Sequence, residues 1–232
     1  MQERFNSGDI MQGLKERITE FLKENGAGDV GFCNIEKDSN PFGMTSAVSF
    51  IIPLSEAVVN SISDAPTHTY FHHYRTVNAH IDSISLKTGF MLEKAGFLYV
   101  PVPASQSVGG TFGMFSHKYA ASLSGLGAVG KSGLFISEKC GPRVRLGTVL
   151  TNCDFEVENA TPVCPCGDCR ICASACPAQA ISGEEWAAGE DRSRIIDAKA
   201  CSDYMKKAFQ HIGRGAVCGI CMSVCPLGKK SN

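Results

Sequence analysis

Four cysteines, Cys166, Cys169, Cys172 and Cys176, stand at spacing C-x2-C-x2-C-x3-C with Pro177 directly after them. A second group, Cys218, Cys221 and Cys225-Pro226, keeps the x2 and x3 spacings and the closing proline but lacks one thiol, which Cys201 can supply. Thiolates at these intervals wrap one after another around the corners of a [4Fe-4S] cubane, and in two-cubane chains the fourth cysteine of each run reaches over to the other cluster. By that rule one cluster takes Cys166, Cys169, Cys172 and Cys225, and the other takes Cys176, Cys201, Cys218 and Cys221. Two structural zinc sites are the alternative, but paired zinc knuckles rarely carry x2, x2 and x3 spacings with a terminal Cys-Pro twice.

Twelve cysteines in 232 residues need such an explanation, and eight of them fall between 166 and 225. The start of the chain has no basic stretch followed by an apolar one, so a secretory signal is not expected and the reading is cytoplasmic. Reduced thiols in that compartment argue for metal or cluster ligation over disulfides. Cys33 and Cys153 read as small buried apolar residues. Cys164, in "CPC", stands close enough to the first run to compete with its ligands. Cys140, beside Lys139 at a turn, reads as a bland thiol more readily than a reactive one.

Residues 125–133, "GLGAVGKSG", match two phosphate-binding patterns at once. Gly125, Gly127 and Gly130 spell G-x-G-x-x-G, and Gly125 through Ser132 spell G-x-x-x-x-G-K-S. Both motifs need a strand before the glycines and a helix after them. Here "SHKYAASLS" precedes and reads as helix, while "GLFIS" follows and reads as strand. The order is reversed, and no Asp or Glu stands between 139 and 153 to take a ribose hydroxyl. A nucleotide is not what this segment holds.

The elements that position these groups follow from periodicity. Ile10, Leu14, Ile18, Phe21 and Leu22 recur at helical spacing, with Asp9 as the expected cap and Asn25-Gly26 as the stop. Val30–Ile35 and Ala47–Leu54 read as buried strands. The second, "AVSFIIPL", is apolar on both faces, as a central strand covered by helices is. A helix is expected over Tyr74–Ala95, ended by Gly96, and "FLYVPV" (97–102) is another strand. The spacing predicts a hairpin of "LFIS" (134–137) with "RVRLGTVLT" (143–151) across a turn at Glu138–Gly141. A linker, "NCDFEVENATPV", then separates an α/β part, residues 1–160, from a cysteine-rich part, residues 161–232. His72, His73, Tyr74 and Arg75 read as packing and capping at a helix start.

Composition narrows the partners. There are 22 basic and 23 acidic side chains for a formal charge of −1, and no block of like charge exceeds a pair, so no polyanion-binding stripe is present. No apolar run reaches the 18–20 residues of a membrane span. Neither nucleic acid nor membrane is an expected partner.

"AASLSGLGAVGKSGLFI", "GPRVRLGTVLT", the cluster run, "IIDAKACSDY" and "CGICMSVCP", in that order, resemble epoxyqueuosine reductases, cobalamin and iron–sulfur enzymes related to reductive dehalogenases. The resemblance covers about 116–226, and more weakly about 70–115 through "HHYRTVNAHIDSI". It implies a nitroreductase-like α/β domain that holds cobalamin base-off, followed by a ferredoxin-like domain with two [4Fe-4S] clusters. It also implies that Gly125, Gly127, Gly130, Lys131 and Ser132 lie against the corrin, where glycine backbones permit close approach. Otherwise the loop is a tight helix-to-strand turn.

Two departures limit what carries over. The family's proton-donating Asp, in a V-D-S-x-P segment, aligns with Thr111 in "GGTFGMF", and Thr is a poor general acid at neutral pH. His117 and Lys118, a helical turn and a half onward, are the candidate replacements. Relatives also continue past the second cluster into helical repeats that help to hold tRNA, whereas this sequence runs only seven residues beyond Cys225. The expectation is an oxidoreductase fed by a low-potential donor such as ferredoxin or flavodoxin, in which a corrinoid reduces a small organic substrate and tRNA is not acted on. An electron-transfer or corrinoid-reducing partner protein with no substrate of its own, and a flavin-binding variant of the fold, are the alternatives.

Overall fold

A computed structural model of the chain describes residues 7–106, 113–187 and 190–228, with the backbone alone over 7–10. Helix α1 (Ser7–Glu24) leads through Gly26 into β1 (Asp29–Asn34) and β2 (Ser46–Pro53), then the short α2 (Glu56–Asn60) and the long α3 (His68–Lys94). Strand β3 (Tyr99–Val102), α4 (His117–Leu123), β4 (Gly127–Val129), β5 (Phe135–Ser137) and β6 (Val144–Thr151) complete the first part. The cysteine-rich part holds α5 (Ile171–Ser174), α6 (Ala198–Ala208) and α7 (Ile220–Ser223).

Four strands form an antiparallel sheet in the order β1-β2-β6-β3, and β4 pairs with β5 in a separate ribbon. The apolar run in β2 has its cause in two-sided cover. Val48, Phe50 and Ile52 join Leu14, Ile18 and Leu22 of α1 and Ile81, Ile84 and Leu92 of α3 in one apolar cluster. The alternate residue Ala47 packs with Ala120 of α4, and Ile51 with Ala121. Side chains two apart share a face, so a strand between two helical layers has no polar side to offer.

Three expectations change. Helix α3 begins six residues before Tyr74, where the hydroxyl of Thr67 accepts from Tyr70 N at 3.0 Å. His72, His73, Tyr74 and Arg75 therefore lie inside the helix, and the His73 ring accepts from Ser55 N. Asp9 lies within α1, not at its cap. The hairpin is also differently paired: β5 returns along β4, with Ala128 opposite Ile136, while β6 enters the main sheet between β2 and β3. "VRLGTVLT" is buried at seven of its eight positions, and a strand that apolar needs neighbours on both edges and cover on both faces.

The segment 152–163 forms no helix or strand but is packed, not a free linker. Phe155 is 1% exposed, with its ring 4.7 Å from that of Phe32. Asn159 exchanges two hydrogen bonds of 2.9 Å with the backbone of Asn34, and Ala160 N donates to Leu123 O. The largest apolar cluster runs on past this strap: Phe209, Val217, Ile220 and Met222 of the cysteine-rich part belong to the same core as Leu14 and Ile18. Burying side chains of this size contributes about 1.5–3 kcal/mol each, so the two parts share their stabilisation. Cys33 and Cys153 are both fully buried, and burial pushes the Cys153 thiol up to about 12.

Candidate functional site

Each cysteine run folds by the same local rule. A tight turn, with Cys169 N on Cys166 O at 3.0 Å, leads into the single turn of α5, and Cys176 N closes on Ala173 O before Pro177 ends the helix. In the second run α7 does the same, with Cys225 N on Met222 O at 3.3 Å before Pro226. Helices α5 and α7 pack together, which brings the two runs face to face.

The thiols then divide into two neighbourhoods. Cys166 is pushed up to about 11, first by burial, and thiolates on Cys164 and Cys225 push it further. Cys172 is raised by burial, then by Cys225 and Cys169; Cys225 by burial, with Cys169 adding to the rise while Arg143 opposes it. In the other neighbourhood Cys201 and Cys218 are raised by burial and by Cys176. Cys221 reaches about 12 through burial, then Cys218 and Cys201, and it also senses Cys172 across the gap. Among the described residues, no three Cys, His, Asp or Glu side chains converge on one point as the ligands of a single ion would. Thiols that burial keeps protonated deprotonate when a bound cationic centre replaces the lost proton, so ligation here releases protons.

The glycine-rich segment serves the first run. Gly127–Val129 is strand β4, so the pattern that reads as one loop is two turns flanking a strand. A side chain at Gly130 would lie 2.7 Å from Ile136 Cγ1 and 3.2 Å from Cys166 Sγ. Lys131 is buried; its ammonium donates to Gly167 O with Glu185 at 3.9 Å, and its backbone N–H reaches the Cys166 sulfur. Ser132 is buried, and its hydroxyl accepts from Leu134 N at 3.3 Å. This ribbon cradles the loop that carries Cys166.

Two cavities flank the ribbon. The larger, about 730 Å³, lies between α4, the β4–β5 ribbon, the start of β6, Trp186 and residues 190–196. Phe115, His117, Lys118, Arg145, Trp186 and Ile196 are among its walls. The smaller, about 350 Å³, is bounded by Gly125, Gly127, Ile136 and the strap at 160–165, and shares Ser122 and Pro162 with the larger. Of the five glycine-segment residues implied to meet a cofactor, Gly125 and Gly127 line the smaller cavity. Gly130, Lys131 and Ser132 line neither, and the ribbon faces the larger cavity through Val129, Gly133, Leu134 and Phe135.

His117 and Lys118 are not a surface pair. The His117 ring spans Thr148 Oγ1 at 2.8 Å and Pro103 O at 3.0 Å. A carbonyl only accepts, so Nε2–H donates to Pro103 O and Nδ1 accepts the Thr148 hydroxyl, which is the neutral ring. Burial drives its pKa down to about 4. Lys118 Nζ donates to Gly133 O at 2.7 Å, and burial, with the charge of Arg192, lowers its pKa. Thr111 lies outside the described residues. Arg145, which motif reading passed over, stacks 4.3 Å over the Tyr74 ring, with Nε on Asn78 Oδ1 and Nη2 on Ala104 O. The signal was an arginine breaking an otherwise apolar strand, "VRLGTVLT".

Residues 165–228 match the family model of the 4Fe-4S double cluster binding domain. Over 124 residues the chain is 32% identical to the epoxyqueuosine reductase of Staphylococcus aureus (strain NCTC 8325 / PS 47), covering 52% of this chain and 31% of the relative. It is 25% identical over 227 residues to the tetrachloroethene reductive dehalogenase of Dehalobacter restrictus (strain DSM 9455 / PER-K23), covering 91% and 39%. The chain thus spans roughly a third of the length of the curated relatives it matches. Among solved structures, one titled "Reductive dehalogenase structure suggests a mechanism for B12-dependent dehalogenation" superposes with a TM-score of 0.76 at 19% identity, over 93% of this chain and 32% of that one. The epoxyqueuosine reductase of Streptococcus thermophilus gives 0.57 at 20%, over 94% and 67%. The chain resembles both groups, and its mixed α/β fold is theirs.

Proposed function

We propose that this chain is an iron–sulfur oxidoreductase in which two [4Fe-4S] clusters pass electrons to a corrinoid in the 730 Å³ cavity, where a small organic substrate is reduced. The observation that carries this reading is the match of residues 165–228 to the 4Fe-4S double cluster binding domain; the influence of Cys225 on Cys166 and Cys172, and of Cys176 on Cys201 and Cys218, supports the assignment of ligands. Cys166, Cys169, Cys172 and Cys225 hold one cluster; Cys176, Cys201, Cys218 and Cys221 hold the other. The x2, x2 and x3 spacings with a closing Cys-Pro in both runs support cubanes over single ions. The similar dehalogenase structure, by its title B12-dependent, supports a corrinoid as the cavity's occupant. The cavity's volume and mixed apolar and polar walls suit a large ligand. A bound corrinoid supplies a cobalt centre reducible enough to cleave a carbon–heteroatom bond.

The chain's own residues supply the rest. Val129, Leu134 and Phe135 form an apolar seat, and Arg145, held in place by Tyr74, Asn78 and Ala104, lines the same cavity. Lys118 is the proton donor: of the two candidates, His117 is neutral with both ring nitrogens engaged, whereas Lys118 keeps protons beyond the one given to Gly133 O. A ferredoxin or flavodoxin delivers the electrons.

Anaerobic protein titrated with cobalamin, and separately with flavin, tests the reading by its absorption spectrum. The expected result is sulfide-to-iron absorbance at the outset and a spectral change on cobalamin alone. Stoichiometric zinc without sulfide, or a response to flavin alone, overturns it.

A further inference from the structure

The motif "GPRVR" carries a second arginine, and it faces away from the cavity. Arg143 is 4% exposed. Its Nη1 donates to Asn60 Oδ1 at 2.8 Å, with Glu56 Oε1 at 3.9 Å, and its Nη2 lies 3.5 Å from Ser223 O. Nε–H is buried with no acceptor among the described residues. That part of the side chain lies against Gly228, where an added Cβ would sit 3.0 Å from Nε. Gly228 N in turn donates to Cys225 O. The guanidinium is thus lodged between Ser223 and Gly228, the residues that bracket Cys225.

A buried guanidinium with an orphaned N–H and only a half-exposed carboxylate at 3.9 Å is costly unless more negative charge adjoins it. A cubane held by four thiolates carries that charge, and reduction makes it one unit more negative. We propose that Arg143 is a potential-setting residue: its fixed positive charge beside Cys225 favours the reduced form of the cluster held by Cys166, Cys169, Cys172 and Cys225, raising that cluster's reduction potential. This rests on the cluster reading given above. Glu56, by partly neutralising the guanidinium, sets how far the bias goes. Arg143 touches neither cavity, so its effect is on where electrons reside and not on the bonds that break.

The test is a redox titration of the anaerobic full chain followed by electron paramagnetic resonance, with Arg143→Met, Arg143→Lys and Glu56→Gln. In Arg143→Met one of the two clusters becomes harder to reduce by at least about tenfold in its reduction equilibrium, about 59 mV for a one-electron couple. The other moves much less. Arg143→Lys keeps most of the wild-type value, and Glu56→Gln moves the same cluster the opposite way. A residue that only ties α2 and α7 to the sheet gives no such opposed pair of shifts. If both charge variants leave the potentials within twofold, or move them in the same direction, the inference fails. Should Arg143→Met not fold, Glu56→Gln decides alone, since the Glu56 side chain is 42% exposed and the substitution keeps its shape. Wild-type protein free of iron and sulfide sinks the cluster reading itself, a result distinct from clusters that are present but indifferent to charge.

Discussion

Replacing Gly127 by alanine separates a glycine needed for a ligand from one needed for the chain's own path. Gly127 has φ +145°, a conformation that residues with a Cβ rarely adopt, and it pairs with Ser137 across the β4–β5 ribbon. An added Cβ would fall 2.1 Å from Ile136 O and 3.0 Å from Ser137 Cα, so the strands would have to part by more than an ångström. Backbone strain of this kind costs on the order of 1–3 kcal/mol, and each ribbon hydrogen bond lost adds about 1 kcal/mol. The sum is about 3–5 kcal/mol, and at about 2–4 °C per kcal/mol for a chain of this size the melting temperature falls by roughly 6–20 °C. Gly125→Ala is the internal control. Its φ is +74° but its Cβ would meet only Ala160 Cβ at 3.5 Å, for a cost of about 1–2 kcal/mol. Anaerobic thermal unfolding followed by circular dichroism compares the two. If Gly127→Ala melts no lower than Gly125→Ala, or keeps full stability and loses only ligand binding, the account of the ribbon is wrong.

Other outcomes follow from the same geometry. Cys201→Ala removes one cluster and leaves the other, so iron falls from about eight to about four atoms per chain; complete loss would mean that the two do not load independently. Phe155→Ala empties a fully buried site against Phe32 and costs about 3–5 kcal/mol by chemical denaturation, where a free linker would lose almost nothing. His117 titrates near 4 in the folded chain against an ordinary 6.5. The unfolded chain therefore takes up that proton first, and stability present above pH 6.5 is lost as pH falls from 6.5 towards 4, by at most about 3 kcal/mol. His117→Gln flattens that slope; identical pH dependence in both proteins contradicts the buried neutral ring.

What the sequence made legible was whatever depends on spacing along the chain. The cysteine intervals marked out the segment that matches the double-cluster domain at residues 165–228, and the two-sided run in β2 anticipated a covered central strand. Position 125–133 was half legible: the helix before and strand after ruled out a phosphate site. "GAV" is too short for periodicity to reveal a strand, and its partner "FIS" was assigned to the wrong neighbour. The start of α3 was missed because "HTYFHHY" alternates aromatic and imidazole rings without an aliphatic stripe, and the Thr67 cap outweighs that. Long-range matters left no local trace. Nothing in "ENATPV" announces that it straps onto Asn34 and Leu123, and nothing near Lys118 announces that its ammonium turns inward to Gly133.

The shared core across the strap bears on how such a chain changes over evolutionary time. Small cluster-binding units are often pictured as portable, copied from one protein and pasted beside another. Here Phe209, Val217, Ile220 and Met222 belong to one apolar cluster with Leu14, Ile18, Ile62 and Tyr70, so the graft has grown into its host. A substitution on α2 or at Ile62 or Tyr70 is answerable to α7, and the cysteine-rich part, cut out and expressed alone, presents a raw apolar face to water. Exchange with a homologous segment succeeds only where the recipient brings a matching apolar surface around Ile62 and Tyr70, which makes the two halves travel, and diverge, as one inheritance.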